Sequence, residues 1–259
     1  MTWPTRKAAA TSWRASCSIC AGTAPCSEVK LRRAVGLARY HAVAPRDGGA
    51  RRRFMSISAD SVLSLEAYSD YRRAHHEDIL EHRQRRSVLL GEHMRLQFES
   101  EQTLRYQLQE VLLAERLVDP EDVERERVLY AALAPRGSDW RATLMIEFAD
   151  ARQREQELPQ LAGVEQRFFV EIQGLGRVYA VANEDMPPEP KAGSPDGAAP
   201  AAPSAVSSIH FLRFDFSPEQ RDALRTGASV TVGCEHPAYP VDVEIPAATL
   251  SSLLGDFSN

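Results

Sequence analysis

The sequence predicts an α+β fold, with N-terminal helices packed on an antiparallel sheet, or open barrel, of about six to seven strands. Three observations carry this. Three- and four-residue apolar spacing dominates residues 64–133. Short alternating runs separated by turn residues dominate residues 141–245. The strand-rich half also reads as two loose copies of one unit: strand, helix, strand, turn, strand.

In the helical half, residues 64–86 place Leu65, Tyr68, His75, Ile79 and His82 on one stripe. Residues 94–98 break that period: Met94, Leu96 and Phe98 alternate with Arg95 and Gln97, which predicts a strand. Ser100 is placed to cap the next helix, with Glu101 in its positive first turn. This helix, residues 103–117, is apolar along Leu104, Leu108, Val111 and Leu112. Asp119-Pro120 supplies a cap and a first-position proline for another helix, ending near Leu133 before Pro135-Arg136-Gly137.

The first strand-rich unit starts at residues 141–148, which turn Leu144, Ile146 and Phe148 inward. Asp150 caps a short helix that ends near Pro159. A hairpin joins residues 168–173 to 177–183 across Gly174-Leu175-Gly176. The second unit opens with the strand Ile-His-Phe-Leu-Arg-Phe-Asp-Phe at 209–216. Ser217-Pro218-Glu219-Gln220 then reads as a capping box, and Gly227 as a helix terminator. Strands at 229–235 and 241–245 flank a turn at 236–239, and Pro246 starts a last helix ending near Leu254.

Of the 259 residues, 43% are hydrophobic and 26% charged, and mean hydropathy is −0.35. These values are ordinary for a soluble domain. No apolar run approaches the roughly 20 residues that span a bilayer. The net charge of −5 is unevenly spread. Residues 1–54 hold eleven Lys or Arg against Glu28 and Asp47, a charge of +9, which leaves −14 on residues 55–259. So acidic a body repels phosphate backbones, which argues against nucleic acid as partner.

Residues 1–54 have no sustained period, and three readings compete for them. They are Arg-rich and acid-poor, as transit peptides are. They hold three thiols, Cys17, Cys20 and Cys26, that suit a metal-binding tail. They also fit an overcalled start upstream of Met55, the reading favoured here, because amphipathic patterning begins at Met55. On that reading residues 1–54 are a disordered leader and residues 55–259 form a single domain. Residues 186–208 are rich in Pro, Ala, Gly and Ser, and read as a flexible insert between two strands. Cys234 is the single cysteine after residue 54, so no disulfide framework is expected and the cytoplasm is the expected compartment.

Candidate chemistry centres on His210, Cys234 and His236. Strand parity puts His210 on the face of Leu212 and Phe214, and Cys234 and His236 on the face of Val230 and Val232. Imidazole and thiolate are suitable zinc or iron ligands, with Glu147 as a carboxylate or an acid/base group. The bland reading is stronger: hydrogen-bonded core histidines, a small buried thiol, and a His236 that shapes the turn before Pro237. A second cluster, His75-His76-Glu77-Asp78 with Glu81-His82, reads mainly as a solvated helix face. A third places Arg105, Gln109 and Arg116 on one helix face and Tyr106 with Glu110 on another, suited to an anion or a partner. Arg177 and Arg213 are candidates to join it. Dinucleotide, Walker, nucleophile-elbow and HExxH motifs are all absent.

The runs LRYQLQE, ATLMIEF, IHFLRFDF and EHPAYP, in that order, resemble a bacterial family of unknown function, DUF3501, over residues 55–259. The long Ala/Pro tract departs from that family's shorter connection. The resemblance implies no established activity and transfers no catalytic residue. It does imply a setting, beside rubrerythrin-like and iron–sulfur proteins. The expectation is therefore a non-enzymatic accessory protein of a redox or peroxide-defence system, against a metal-dependent enzyme using His210, His236, Cys234 and Glu147.

Overall fold

The computed structural model describes residues 57–182 and 206–258. The expected leader at 1–54 and most of the expected insert at 186–208 lie outside the described residues.

Helix α1 (Leu65–Arg85) begins where the Ser64 hydroxyl accepts the Ala67 amide, and His82, Arg83 and Arg85 complement its negative end. Two short strands follow, β1 (Ser87–Leu90) and β2 (Met94–Phe98), paired antiparallel from Leu90 opposite Met94. β1 is not predicted by the sequence pattern. Its four residues, Ser-Val-Leu-Leu, are too few and too uniformly apolar to display a period of two. Helix α2 (Glu101–Glu115) opens with a reciprocal capping box between Ser100 and Thr103 and ends on Arg116 in the left-handed region, φ 54°. Helix α3 (Pro120–Ala132) starts at the expected Asp119 cap and proline.

Strand β3 (Asp139–Ile146) is shifted two residues toward the N-terminus of the expected strand, so Glu147 and Phe148 lie beyond its end. Helix α4 (Ala151–Glu157) is capped by Asp150. Strands β4 (Phe168–Ile172) and β5 (Gly176–Tyr179) form the expected hairpin. The strand expected at 177–183 is divided. The Ala180 amide still reaches the Phe168 carbonyl, but β6 (Val181–Ala182) pairs with β7 (Ile209–Asp215) in another sheet. Helix α5 (Pro218–Arg225), strands β8 (Val230–His236) and β9 (Tyr239–Glu244), and helix α6 (Ala247–Leu254) complete the fold.

Two antiparallel sheets result, ordered β1-β2-β3-β7-β6 and β5-β4-β8-β9. Among the described residues neither sheet closes into a barrel. The loose repeat is legible in the pairing. Equivalent strands of the two units lie side by side, β3 against β7 in one sheet and β4 against β8 in the other. The outer strands match as well, with β5 flanking β4 and β9 flanking β8. The inner faces of the sheets share one apolar core that includes Leu96, Leu144 and Phe214 from the first and Val170, Val232 and Cys234 from the second. Trp140 is fully buried against Phe216 and Phe257, and its indole N–H donates to the Leu253 carbonyl at 3.2 Å. Each such side chain contributes about 1.5–3 kcal/mol through burial. The far side of the five-stranded sheet meets the helices, where Leu104, Leu108 and Leu112 of α2 pack with Ile209 and Phe211 of β7. The layers run helices, five-stranded sheet, four-stranded sheet, which leaves the outer face of the last as a separate surface.

Candidate functional site

Parity places His210 and Cys234 as the sequence predicts, both buried and both facing the inter-sheet core. They belong to different sheets. The His210 Nε2–H donates to the Ser207 carbonyl at 3.0 Å, and its Nδ1 stands 3.9 Å from a Glu165 carboxylate oxygen. Burial lowers the imidazole's pKa, against the pull of Glu165. Burial likewise raises the Cys234 thiol, against the His236 backbone N–H, so it is not poised as a nucleophile.

His236 is only partly buried. Its Nδ1 accepts the Ala238 amide at 3.3 Å and its Nε2 donates to the Ala162 carbonyl at 3.3 Å, so the ring shapes the β8–β9 turn. Glu147 is half-exposed, 3.7 Å from the Arg95 guanidinium. Among the described residues, no three His, Cys, Asp or Glu side chains stand together as ion ligands would. The helical histidines serve separate purposes too. His75 bonds the Tyr71 carbonyl at 2.9 Å, His82 bonds the Ser100 hydroxyl at 3.0 Å, and Glu81 pairs with Arg85.

Two polar arrangements were not legible beforehand. In the first, buried Glu99 accepts from Thr103 Oγ1 at 2.5 Å, Thr143 Oγ1 at 2.6 Å and the Gln107 amide at 3.3 Å, joining α2 to the sheet. The alternation of β2 continues into Glu99, which predicts only its direction and not its partners. This cluster is enclosed, and it ties the helical layer to the sheet.

The second lies on the outer face of the four-stranded sheet. The register pairs Phe169 with Tyr179, Glu171 with Arg177, and Phe169 with Gly233. The Arg177 guanidinium carbon stands 3.9 Å from the centre of the Phe169 ring. Its Nε donates to Glu171 at 2.7 Å and its Nη1 to Glu235 at 3.2 Å, and the Tyr179 hydroxyl reaches the same Glu235 oxygen at 3.4 Å. Phe169 is only 3% exposed although it faces outward, while Tyr179 is 49% exposed. Gly233 makes the arrangement possible. A Cβ there would stand 2.6 Å from the Phe169 ring and 2.8 Å from the Val241 carbonyl. The hydrogen bond to Glu171 holds the Arg177 pKa above its ordinary value. Asp242 and Glu244 are exposed on the same face, so a single arginine stands in an acidic field. The sequence signal was the doublet Phe168-Phe169. Alternation must turn one of the two rings outward, and an outward ring needs cover.

This platform has no nucleophile and no acid–base pair. It presents an immobilised Arg, an exposed Tyr and a buried aromatic base, framed by carboxylates. The other anion-binding candidates do not join it. Arg213 pairs with Asp215 on the five-stranded sheet, and Arg105 stands in the helical layer.

The model of a family described as protein of unknown function (DUF3501) matches residues 56–257. The chain belongs to the DUF3501 family. A crystal structure of a novel protein of unknown function from Burkholderia pseudomallei K96243 shares 36% identity with it at a TM-score of 0.70. That match covers 78% of this chain and all of the other. No curated protein matches. DUF3501 membership therefore accounts for both strand-rich units and the helices before them, and it leaves residues 1–54 outside the match. Among the described residues, no helix is long and apolar enough to cross a membrane.

Proposed function

We propose that the protein is a non-enzymatic accessory or interaction protein serving a redox or peroxide-defence system. Its partner is a rubrerythrin-like or iron–sulfur protein, and it docks through the outer face of the four-stranded sheet. The observation that carries the reading is the Arg177–Phe169 stack. Tyr and Arg dominate binding energy at interfaces when they are held in place beforehand, because little side-chain freedom is then lost on association. Four carboxylates around one arginine favour a partner that presents basic groups. The redox setting comes from the family resemblance.

The test is anaerobic affinity capture with the full chain as bait and identification by mass spectrometry. A rubrerythrin-like or iron–sulfur protein should be recovered, and Arg177→Ala and Tyr179→Ala should reduce its recovery. Recovery unaffected by both substitutions would remove the sheet face from the reading, and absence of any redox protein would remove the setting. Elemental analysis tests the competing reading, a metal-dependent enzyme. Stoichiometric zinc or iron that disappears in His210→Ala and His236→Ala would establish that reading instead.

A further inference from the structure

A cavity of about 300 Å³ opens in the helical layer between α1, α2 and the segment before α1. Its volume is at the low end for small-molecule sites. One wall is aromatic. The rings of Tyr71 and Tyr68 run nearly parallel there, with centres 6.5 Å apart and planes 26° apart, and His75, outside the lining, stacks on Tyr71 at 4.1 Å. Tyr106 lines the cavity from α2 together with Gln102, Arg105 and Gln109, at the i, i+3, i+4, i+7 spacing of one helix face. The Gln109 amide holds the third wall in place by donating to the Leu63 carbonyl at 3.4 Å.

The lining residues hold one cation, Arg105, and one acid, Asp60. Arg105 lies on the cavity, and its contact with Glu101 is 4.0 Å between partly exposed side chains, too loose to occupy it. Arg83 lies 5.7 Å from the centre of the Tyr106 ring. Glu110, the carboxylate nearest the tyrosines, is consumed by Tyr68 at 2.7 Å and Arg72 at 2.6 Å. Asp60, exposed at the mouth, is the one acid among the lining residues and disfavours a second negative charge on a ligand.

We propose that this cavity binds a small aromatic monocarboxylate, its ring against Tyr68, Tyr71 and Tyr106 and its carboxylate on Arg105. Ring stacking supplies the apolar contact and a charge-assisted hydrogen bond sets orientation. The site belongs to the helical layer and owes nothing to the sheet platform, so it stands or falls separately from the proposed docking role.

Benzoate and its neutral isostere benzamide test it, by ligand-observed NMR and calorimetry on the full chain. Benzoate should bind saturably at one site, and benzamide about tenfold more weakly or worse. Arg105→Gln should abolish the preference between the two while leaving the thermal midpoint unchanged, and Arg105→Lys should retain part of it. Leu63→Trp, which fills the mouth, should weaken both. Absence of saturable benzoate binding, equal binding of benzamide, or an unchanged preference in Arg105→Gln would each overturn the proposal.

Discussion

The Tyr239 hydroxyl of β9 donates to the Leu90 carbonyl at 2.9 Å and accepts the His93 amide at 3.0 Å. A side chain of one sheet thus closes the β1–β2 turn of the other. Gly91 lies beneath it with φ 64°, where an added Cβ would collide with that hydroxyl. Tyr239→Phe should cost about 1–2 kcal/mol, since both turn groups lose their partner. Gly91→Ala should cost more, from the collision and the left-handed backbone together. The double variant should cost less than the sum of the two, because removing the hydroxyl relieves the collision. Urea denaturation of the four proteins measures this coupling.

Asp256 gives stability a definite pH dependence. Burial raises its carboxyl to about 6, against the pull of Arg86 and with a smaller upward push from Asp139. The folded state therefore binds this proton at a higher pH than the unfolded chain, whose Asp titrates near 3.9. Between about pH 7 and 4 the folded state holds more protons at this site, so its contribution to stability grows as pH falls. His82 and His210 act oppositely. Their lowered pKa values mean that acidification below about 6.5 protonates the unfolded chain first and costs stability. Asp256→Asn should therefore lose stability on acidification more steeply than the parent. Denaturation midpoints at pH 7, 6, 5 and 4.5 test this, and parallel curves would refute it.

Gly233→Ala should destabilise the fold by about 1–3 kcal/mol, the usual cost of overpacking. The added methyl must displace either the Phe169 ring or the backbone of β9. Thermal denaturation gives the magnitude. If Phe169→Leu in the same chain recovers most of the loss, the ring is the obstacle.

Glu99→Ala should cost about 3 kcal/mol or more. It leaves the buried Thr143 hydroxyl and Gln107 amide without their acceptor and opens space under α2. Glu99→Gln should cost less, because either hydroxyl can reorient to meet an amide. Chemical denaturation of the two variants ranks them.

Cys234 should resist alkylation in the folded protein. It is buried, and its thiol is raised in pKa, so little thiolate forms at neutral pH. Iodoacetamide labelling followed by peptide mapping should show modification of the Cys234 peptide only when denaturant is present. Rapid native labelling would mean that the strand opens.

The sequence by itself determined every element whose signal is local. Ser100, Asp119, Asp150 and Ser217 all cap the helices they were expected to cap. A cap involves residues two or three apart, so the chain states it without reference to anything distant. Alternation also placed His210 and Cys234 inward, because a strand's parity is fixed by its own backbone.

Tertiary structure decided which strands meet. The run after Gly176 has one continuous pattern, yet Tyr179 remains on β4 while Val181 joins β7, because each half finds its hydrogen-bond partner in a different sheet. The same long-range pairing set His210 and Cys234 on different sheets, whereas Arg177 meets Phe169 within the local β4–β5 hairpin. Parity tells a side chain which way to face. Only the register between distant strands decides what stands beside it, Leu144 for His210 and Phe168 for Cys234.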